Sequence, residues 1–494
     1  MKPIDIVFTA QQAERLRGHL FQENQDEQAA YAFVSPSETA DCLRLLVHHI
    51  VTLDSEAFLE QSETYLEVRP EIAAQIAAHA VEGAFGLVEI HSHPFADDDV
   101  AFSVTDTEYA LPRFRWFAEQ VGRFSGRAFH HAMLVFGMHS ADAIYFDRAE
   151  DAARPARRVI VLDAPLQITP VIGAETETGT IGETEDSPEA EPDAGTDARY
   201  DERTSRQIGA FGAEGQRRLA GMKVGIVGLG GIGCLVAQEL ALLGVRRFVL
   251  VDHDVIELTN LNRFIGGTME DAQAGRHKVE IVARVIRSID PDAQVTSFTD
   301  AFPTAAALGA LKDADVLFGC TDNHGSRLLL NALSVQYLLP YIDIGTGIFT
   351  DGAGTITEAG GQFRVMLPGQ FCLTCIDAID TAQAMRDLLP PDARAEHEAR
   401  GYIPTEDIPA PSVVFLNATL ASLAVGEFLN LIAQYRPSAS ILYYFMQTHE
   451  LRRIEAARNA DCVVCGTNGR LALGDLEPLP GLEPAGKKGG FPAA

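Results

Sequence analysis

Two histidines one residue apart follow a short apolar run at 86–90: His91-Ser92-His93-Pro94. Side chains at i and i+2 leaving a strand point to the same side, so both imidazoles can reach one metal ion. Ser103-Val104-Thr105-Asp106 follows, and Asp106 can supply a third ligand. Two histidines and a carboxylate leave a fourth position for water, as a catalytic zinc site requires, and zinc brings the pKa of that water to about 7. Such chemistry needs a nearby carboxylate base, and Glu27, just ahead of the apolar run 29–34, is the candidate. Ser103 is the candidate donor to the oxyanion of a tetrahedral intermediate.

A second constellation begins at 223–233, where an apolar run ends in Gly228, Gly230, Gly231 and Gly233. Glycines at a strand-to-helix turn let backbone approach a phosphate at a helix N-terminus. Asp252 ends the next apolar run, 24 residues after Gly228, where a carboxylate can bind ribose hydroxyls. These features alone fit a dinucleotide site equally well. The residues beyond them do not: Asp254, Glu257, Asn260, Asn262, Arg263 and Lys278 follow, and Arg203 and Arg206 precede the loop. Cations grouped around a phosphate site suit a triphosphate more than a hydride carrier. Asp322, in Cys320-Thr321-Asp322-Asn323, is placed to hold Mg²⁺.

Four of the seven cysteines form two pairs, Cys372/Cys375 and Cys462/Cys465, a spacing that can close a tetrahedral structural zinc. A redox role for one pair is the alternative. Cys42, Cys234 and Cys320 lie in or beside apolar segments and are expected to be buried rather than reactive.

The first constellation resembles the JAB/JAMM metalloprotease family, whose signature is Glu, then His-x-His-Pro, then Ser-x-x-Asp. The resemblance covers about residues 1–150, carried by Glu27, His91, His93, Ser103 and Asp106. The gap from His93 to Ser103 is a residue or two longer than the family pattern, with the extra residues around Asp97–Asp99. The second constellation resembles the ThiF/MoeB/HesA family, the adenylating fold of ubiquitin-activating enzymes, over about residues 199–466. That resemblance implies that Asp252 binds the ATP ribose, that Asn260, Arg263 and Lys278 contact phosphates, and that Asp322 takes Mg²⁺. It further implies that Arg206 reaches the γ-phosphate, often from a second subunit, which makes a homodimer the expected assembly. The split cysteine zinc site also matches this family. Many relatives carry an additional cysteine between the two pairs as an acceptor, and 376–461 contains none. The enzyme is therefore expected either to stop at the adenylate or to hand it to a thiol on a separate protein or conjugating enzyme.

The elements that must position these residues follow from hydrophobic periodicity. Before the linker, helices are expected at about 10–21 and 71–79, and strands at 29–34, 86–90, 132–136 and 159–162. After it, strands at 223–227, 248–251 and 316–319 alternate with helices at 234–243 and 278–289. The expected class is α/β: a mixed α+β N-terminal domain of JAB/MPN type at 1–173, and a doubly wound, mostly parallel Rossmann-like domain at 198–473. Between them, 174–197 carries nine acids and no Lys or Arg, and reads as a flexible acidic linker. The Pro- and Gly-rich stretch 474–494 reads as a loose tail.

A formal net charge of −30 argues against a chain-wide nucleic-acid or anionic-membrane binder, since both need a basic footprint. The uncharged run 408–426 contains Pro409, Pro411, Asn417, Thr419 and Ser422, and is expected to be a buried helix rather than a span. With no basic-then-apolar leader at the start, a cytoplasmic location is expected. The combined expectation is ATP-dependent adenylation of the C-terminal glycine of a ubiquitin-like or sulfur-carrier protein. Zinc-dependent trimming or deconjugation of the same client would accompany it. Two alternatives stand beside it: adenylation of a small peptide, and an N-terminal domain that only docks the client.

Overall fold

The computed structural model describes residues 2–22, 26–125, 129–171, 198–351, 353–389, 393 and 411–479. It divides into two units, Met1–Thr196 with Ala472–Pro478, and Asp197–Leu471 with Leu479–Ala494. The expected linker at 174–197 lies outside the described residues.

The first unit contains strands β1 (Ile4–Thr9), β2 (Ala29–Glu38), β3 (Leu43–Thr52), β4 (Phe58–Gln61), β5 (Leu66–Val68), β6 (Gly86–Ser92), β7 (His131–Phe136), β8 (Ala141–Asp147), β9 (Ala152–Pro155), β10 (Arg158–Leu162) and β11 (Gln167–Pro170). Its helices are α1 (Ala10–Leu20), α2 (Pro70–Gly83) and α3 (Val104–Ser125). Nine strands form one mixed sheet in the order β11-β10-β1-β3-β2-β6-β7-β8-β9, and β4 pairs with β5 separately. Alternate residues of β2 enter different cores: Ala30, Ala32 and Val34 join one, and Ala29, Tyr31 and Phe33 the other. Burial on both faces is why β2 reads as a continuous apolar run.

Strands β1, β3, β4, β5, β8, β9 and β11 and helix α3 lie outside the sequence expectation, and β3 and α3 are the longest of them. Arg44, His48 and His49 interrupt the apolar run of β3. In α3, charged residues and an internal Pro112 obscure the helical period. The expected tail also differs at its start. Gly474–Leu476 form a 3₁₀ turn within the first unit, the Ser35 hydroxyl donates to the Ala472 carbonyl, and the Glu38 N–H donates to Asp475 at 2.8 Å. Ser35 is fully buried and needs an acceptor, which composition alone does not reveal. The rest of that tail, 480–494, lies outside the described residues.

His49 on β3 has an imidazole nitrogen near each ring nitrogen: His48 Nδ1 lies 3.2 Å from His49 Nδ1, and His79 Nε2 of α2 lies 3.1 Å from His49 Nε2. Phe33 stacks on the His49 ring, with centroids 4.5 Å apart. Burial, with His48 and His79 adding, pushes His49 down to about 4, and burial lowers His48 too. The unfolded chain therefore binds more protons than the folded one between about pH 6.5 and pH 4. Stability present above that window is lost as pH falls through it. Urea unfolding at pH 7 and at pH 5 is expected to show a smaller acid loss for His49→Phe than for the wild type. Equal losses would remove His49 as the cause.

The second unit contains β12 (Lys223–Val227), β13 (Arg247–Val251), β14 (Gln294–Phe298), β15 (Val316–Gly319), β16 (Tyr341–Thr350), β17 (Ile356–Met366), β18 (Ile441–Phe445) and β19 (Glu450–Ile454). Its helices are α4 (Ala198–Gly221, interrupted at Phe211 and Gly212), α5 (Gly233–Leu243), α6 (Met269–Ala274), α7 (Lys278–Ile289), α8 (Ala305–Lys312), α9 (His324–Tyr337), α10 (Thr381–Asp387) and α11 (Val414–Ala433). The strand order is β14-β13-β12-β15-β16-β17-β18-β19. The first five run parallel and the last three are added antiparallel. The strand expected third in this unit, Val316–Gly319, is fourth. The polar, mostly exposed edge strand β14 carries too little apolar signal to be read beforehand. Chain order reverses direction at β12, between β13 and β15, which opens the crevice where doubly wound sheets bind ligands. Among the described residues, α11 alone is long and apolar enough to span a membrane, and most of its apolar window is buried inside the fold.

Candidate active sites

Register builds the first site. Ala29 of β2 pairs with His91 of β6 in an antiparallel ladder. Two steps back along β2 and two forward along β6 bring Glu27 opposite His93, and Glu27 Oε1 lies 3.7 Å from His93 Nε2. The backbone of Glu27 is fixed by its N–H to Ser62 O at 2.9 Å, and its carbonyl accepts from Gln61 Nε2 at 2.9 Å. Asp106 arrives from α3. Its N–H donates to Ser103 Oγ at 3.1 Å, while the Ser103 N–H donates to Asp106 Oδ2 at 2.8 Å, a reciprocal cap on the first helical turn. That cap aims Oδ2 at both imidazoles, 3.5 Å from His91 Nε2 and 3.4 Å from His93 Nε2.

The donor set fits a metal ion. His91, His93 and Asp106 each offer an atom within 4.8 Å of the others, and His91 Nε2 is buried with no hydrogen-bond partner. An orphaned imidazole nitrogen beside a carboxylate is costly without a ligand to take its lone pair. Burial raises the Asp106 carboxyl, but the imidazoles and Ser103 outweigh it and hold it well below the ordinary carboxylate range. Glu27 goes the other way: burial, opposed by His93 and assisted by Asp106, pushes it up to about 7. Ser103 Oγ, expected to face an oxyanion, instead donates to Asp106 Oδ2 at 2.7 Å. The longer 94–102 loop is pinned to the β7–β8 turn, where Met138 N–H donates to Ala96 O at 2.9 Å and Ser140 Oγ to Asp97 O at 2.8 Å.

Sequence reasoning missed a buried network next to this centre. Glu89 precedes His91 by two residues and so shares its face of β6. It accepts from His131 Nε2 at 2.8 Å and from Arg113 Nε, and Arg113 Nη2 reaches Tyr31 Oη at 2.6 Å. Burial raises Glu89, yet Arg113 and His131 outweigh it and keep the carboxylate ionised. A glutamate inside the apolar run 86–90 was the available signal.

The second site lies at the crevice beside β12. Gly228 has φ +85°, and a Cβ there would sit 2.7 Å from the Cys320 carbonyl oxygen, so the loop can lie against the end of β15 only with glycine. At Gly233, the first residue of α5, a Cβ would collide with the Gly228 carbonyl. Gly230 and Gly231 complete the turn. Asp252, just past β13, braces it by accepting from Leu229 N–H at 2.6 Å and Asp254 N–H at 2.8 Å. Burial raises the Asp252 carboxyl, with Lys278 opposing.

Lys278 Nζ lies 2.6 Å from Asp254 Oδ2, at the start of α7. Arg276 is committed to Asp271 at 2.8 Å, which leaves Lys278 as the lysine at the loop. Arg263 lies over the glycine turn, its Cγ 3.3 Å from where a Gly231 Cβ would stand, and Nη1 donates to the Thr259 carbonyl at 2.8 Å. Asn260 Oδ1 accepts from Glu257 N–H at 3.2 Å. Asp322 is exposed and has no hydrogen bond among the described residues. Arg206 is exposed on α4, with no hydrogen bond or ion pair tying it to the glycine turn among the described residues.

Cys372, Cys375, Cys462 and Cys465 converge from distant segments. Their sulfurs stand 3.9 Å (Cys372–Cys375), 3.7 Å (Cys372–Cys462) and 3.3 Å (Cys375–Cys465) apart, and all four lie within 4.8 Å of one another. A tetrahedron of thiolates at the usual zinc–sulfur length has edges of about 3.8 Å, so this set fits zinc. The remaining thiols are poorly suited to attack. Burial pushes Cys234 up to about 11 and raises Cys320 further, and Cys42 is buried. Cys320 is partly exposed rather than fully buried.

Comparison with known proteins matches residues 204–464 to the ThiF family. The chain is 30% identical over 273 residues to the molybdopterin-synthase adenylyltransferase of Escherichia coli K12, covering 53% of this chain and 96% of that one. It is 31% identical to the sulfur carrier protein ThiS adenylyltransferase of the same organism, covering 53% and 94%. It is also 31% identical to the adenylyltransferase and sulfurtransferase MOCS3 of Sus scrofa, of which it spans 53%.

Proposed function

The chain belongs to the ThiF family, and from that premise we propose that its second unit adenylates the C-terminal carboxylate of a small sulfur-carrier or ubiquitin-like protein. The observation that carries this reading is the convergence of the Gly228 turn, Asp252, Arg263 and the Lys278–Asp254 pair at the crevice beside β12. In the reaction, a carboxylate oxygen of the client's terminal glycine bonds to the α-phosphorus of ATP. The bond from that phosphorus to the bridging oxygen breaks, and pyrophosphate leaves with the electron pair. Asp252 binds ribose hydroxyls with its free lone pairs, and Asp254 stands beside it to receive the same sugar or orient Lys278. Gly228, Gly230, Gly231 and Gly233 let backbone N–H groups meet the phosphates. Asn260, Arg263 and Lys278 stabilise charge as it develops on the transferring phosphorus and the leaving group. Asp322 would hold the Mg²⁺ that neutralises phosphate charge. Arg206, exposed on α4, would serve the site of a second copy in a homodimer. Cys372, Cys375, Cys462 and Cys465 would hold a structural zinc.

For the first unit we propose a zinc peptidase that trims or releases the same client. His91, His93 and Asp106 would hold the ion, which when bound supplies an activated water. Glu27, opposite His93, accepts and returns the proton, and Ser103 steadies Asp106. Elemental analysis of the purified chain is expected to give two zinc ions per chain, falling to one in His93→Ala. The same variant should leave a C-terminally extended client uncut. One zinc in the wild type, with no change in His93→Ala, would remove the metal centre and the peptidase with it.

A further inference from the structure

We propose that the cavity beside His91 and Asp106 is a side-chain pocket for a large apolar residue of the polypeptide presented to that centre. The occupant rests on the peptidase reading of the same site. The cavity measures about 630 Å³, within the range of specific ligand pockets. It is continuous with the metal-ligating groups, since Glu27, His91 and Asp106 line it together with Tyr31, Leu66, Val68, Ala73, Trp116 and Phe117. A segment of substrate lying across the imidazoles therefore has partly apolar space next to it with room for a large side chain.

In the inner wall the Arg113 and Glu89 charges are already spent on each other, while Glu27 and Asp106 lie at the metal-facing end and Glu67 at the rim. Arg113 lines the cavity with Nε on the Glu89 carboxylate and Nη2 on Tyr31 Oη, and Glu89 also takes the His131 N–H. An incoming aspartate side chain would lose its water and face carboxylates, and a lysine would find carboxylates only at the rim and the metal-facing end, with no unpaired countercharge in the inner wall. A phenylalanine or leucine side chain would lose only water contact with apolar surface. Arg113 Nη1 has no hydrogen bond among the described residues and is left to meet a backbone carbonyl of the bound segment. At the rim, Glu67 is exposed, with Tyr65 Oη 3.4 Å from its carboxylate. A rim carboxylate disfavours an acidic residue further.

Trp116 is the only tryptophan in the chain and is 39% exposed in this wall, so its emission reports occupancy directly. The test titrates the full-length His93→Ala chain, which keeps the cysteine-bound zinc and does not cut, with blocked tetrapeptides carrying two glycines, then phenylalanine, aspartate or lysine, then alanine. The phenylalanine peptide is expected to give a saturable blue shift and to bind about tenfold or more tighter than the other two, the ratio that burying one large apolar side chain supplies. Ala73→Phe, whose ring would project into the cavity from its wall, is expected to abolish that shift. Equal affinity for the three peptides overturns the proposal. So does a shift that survives in a folded Ala73→Phe protein. If that variant does not fold, the comparison of the three peptides decides alone. The same peptides with zinc-loaded wild-type protein separate the two readings. Equal kcat/KM for all three without a change in Trp116 emission removes the pocket and keeps the peptidase. Selective binding of the phenylalanine peptide without cleavage keeps the pocket and removes the peptidase.

Discussion

Asp322→Asn is expected to lower client-dependent exchange of labelled pyrophosphate into ATP by about 100- to 1,000-fold, the usual loss when one preorganised charge at a transferring group is removed. The unfolding temperature should barely change. Asp322 is exposed, follows β15 without a hydrogen bond among the described residues, and braces nothing that the substitution would release. That separation makes it a cleaner probe than Lys278, whose loss would also strand Asp254, or Asp252, whose loss would free the Leu229 N–H. Arg276→Ala serves as the control, because its guanidinium is held by Asp271 and not by the nucleotide crevice. Wild-type exchange in Asp322→Asn would take the Mg²⁺ role away from this residue.

Cys465→Ser is expected to have the largest effect on stability. The four sulfurs gather residues 372–375 and 462–465 around Val335 and Leu471, and little else in that cluster is apolar. A zinc ion there would replace a hydrophobic core, so its loss should cost about 4 kcal/mol or more, the range reserved for lost metals and broken buried networks. For a unit of this size that is a drop of about 10 °C in unfolding temperature. Calorimetry with parallel zinc analysis checks both numbers: one zinc fewer and a marked fall. A loss of zinc with no thermal change would mean that the ion does not hold this cluster together. Retention of all zinc would mean that Cys465 is not a ligand.

The two chemical centres were legible because each is encoded locally and then closed by one long-range register. His91 and His93 share a face through the two-residue strand period, and Ser103-x-x-Asp106 is at once a ligand signal and a helix cap. Glu27 lies 64 residues before His91, yet a single ladder, Ala29 against His91, delivers it. The Gly228 turn is similar, since a buried strand, a glycine at φ +85° and a helix start are consecutive in sequence. The apolar cavity was not legible, because its walls come from six separate elements, β2, β5, α2, β6, α3 and β7. Arg113 and Trp116 lie on α3, whose charged residues and Pro112 blur the helical period, and Leu66 and Val68 come from the short strand β5. Glu89 was visible as an acid inside an apolar strand, but its meaning depends on Arg113 and His131, which only the fold brings to it. The start of the C-terminal tail was misread for the opposite reason. Its composition suggests disorder, while the Glu38 N–H at the end of β2 gives Asp475 a partner that composition does not record.

The most direct test of adenylation is mass spectrometry of a glycine-terminated carrier protein after incubation with the full-length chain, ATP and Mg²⁺. The expected result is a client bearing AMP on its terminal carboxylate, with one pyrophosphate released per adduct and no adduct when the last glycine is deleted. Release of ADP and phosphate instead, or an adduct that ignores the client's C-terminus, would contradict the account.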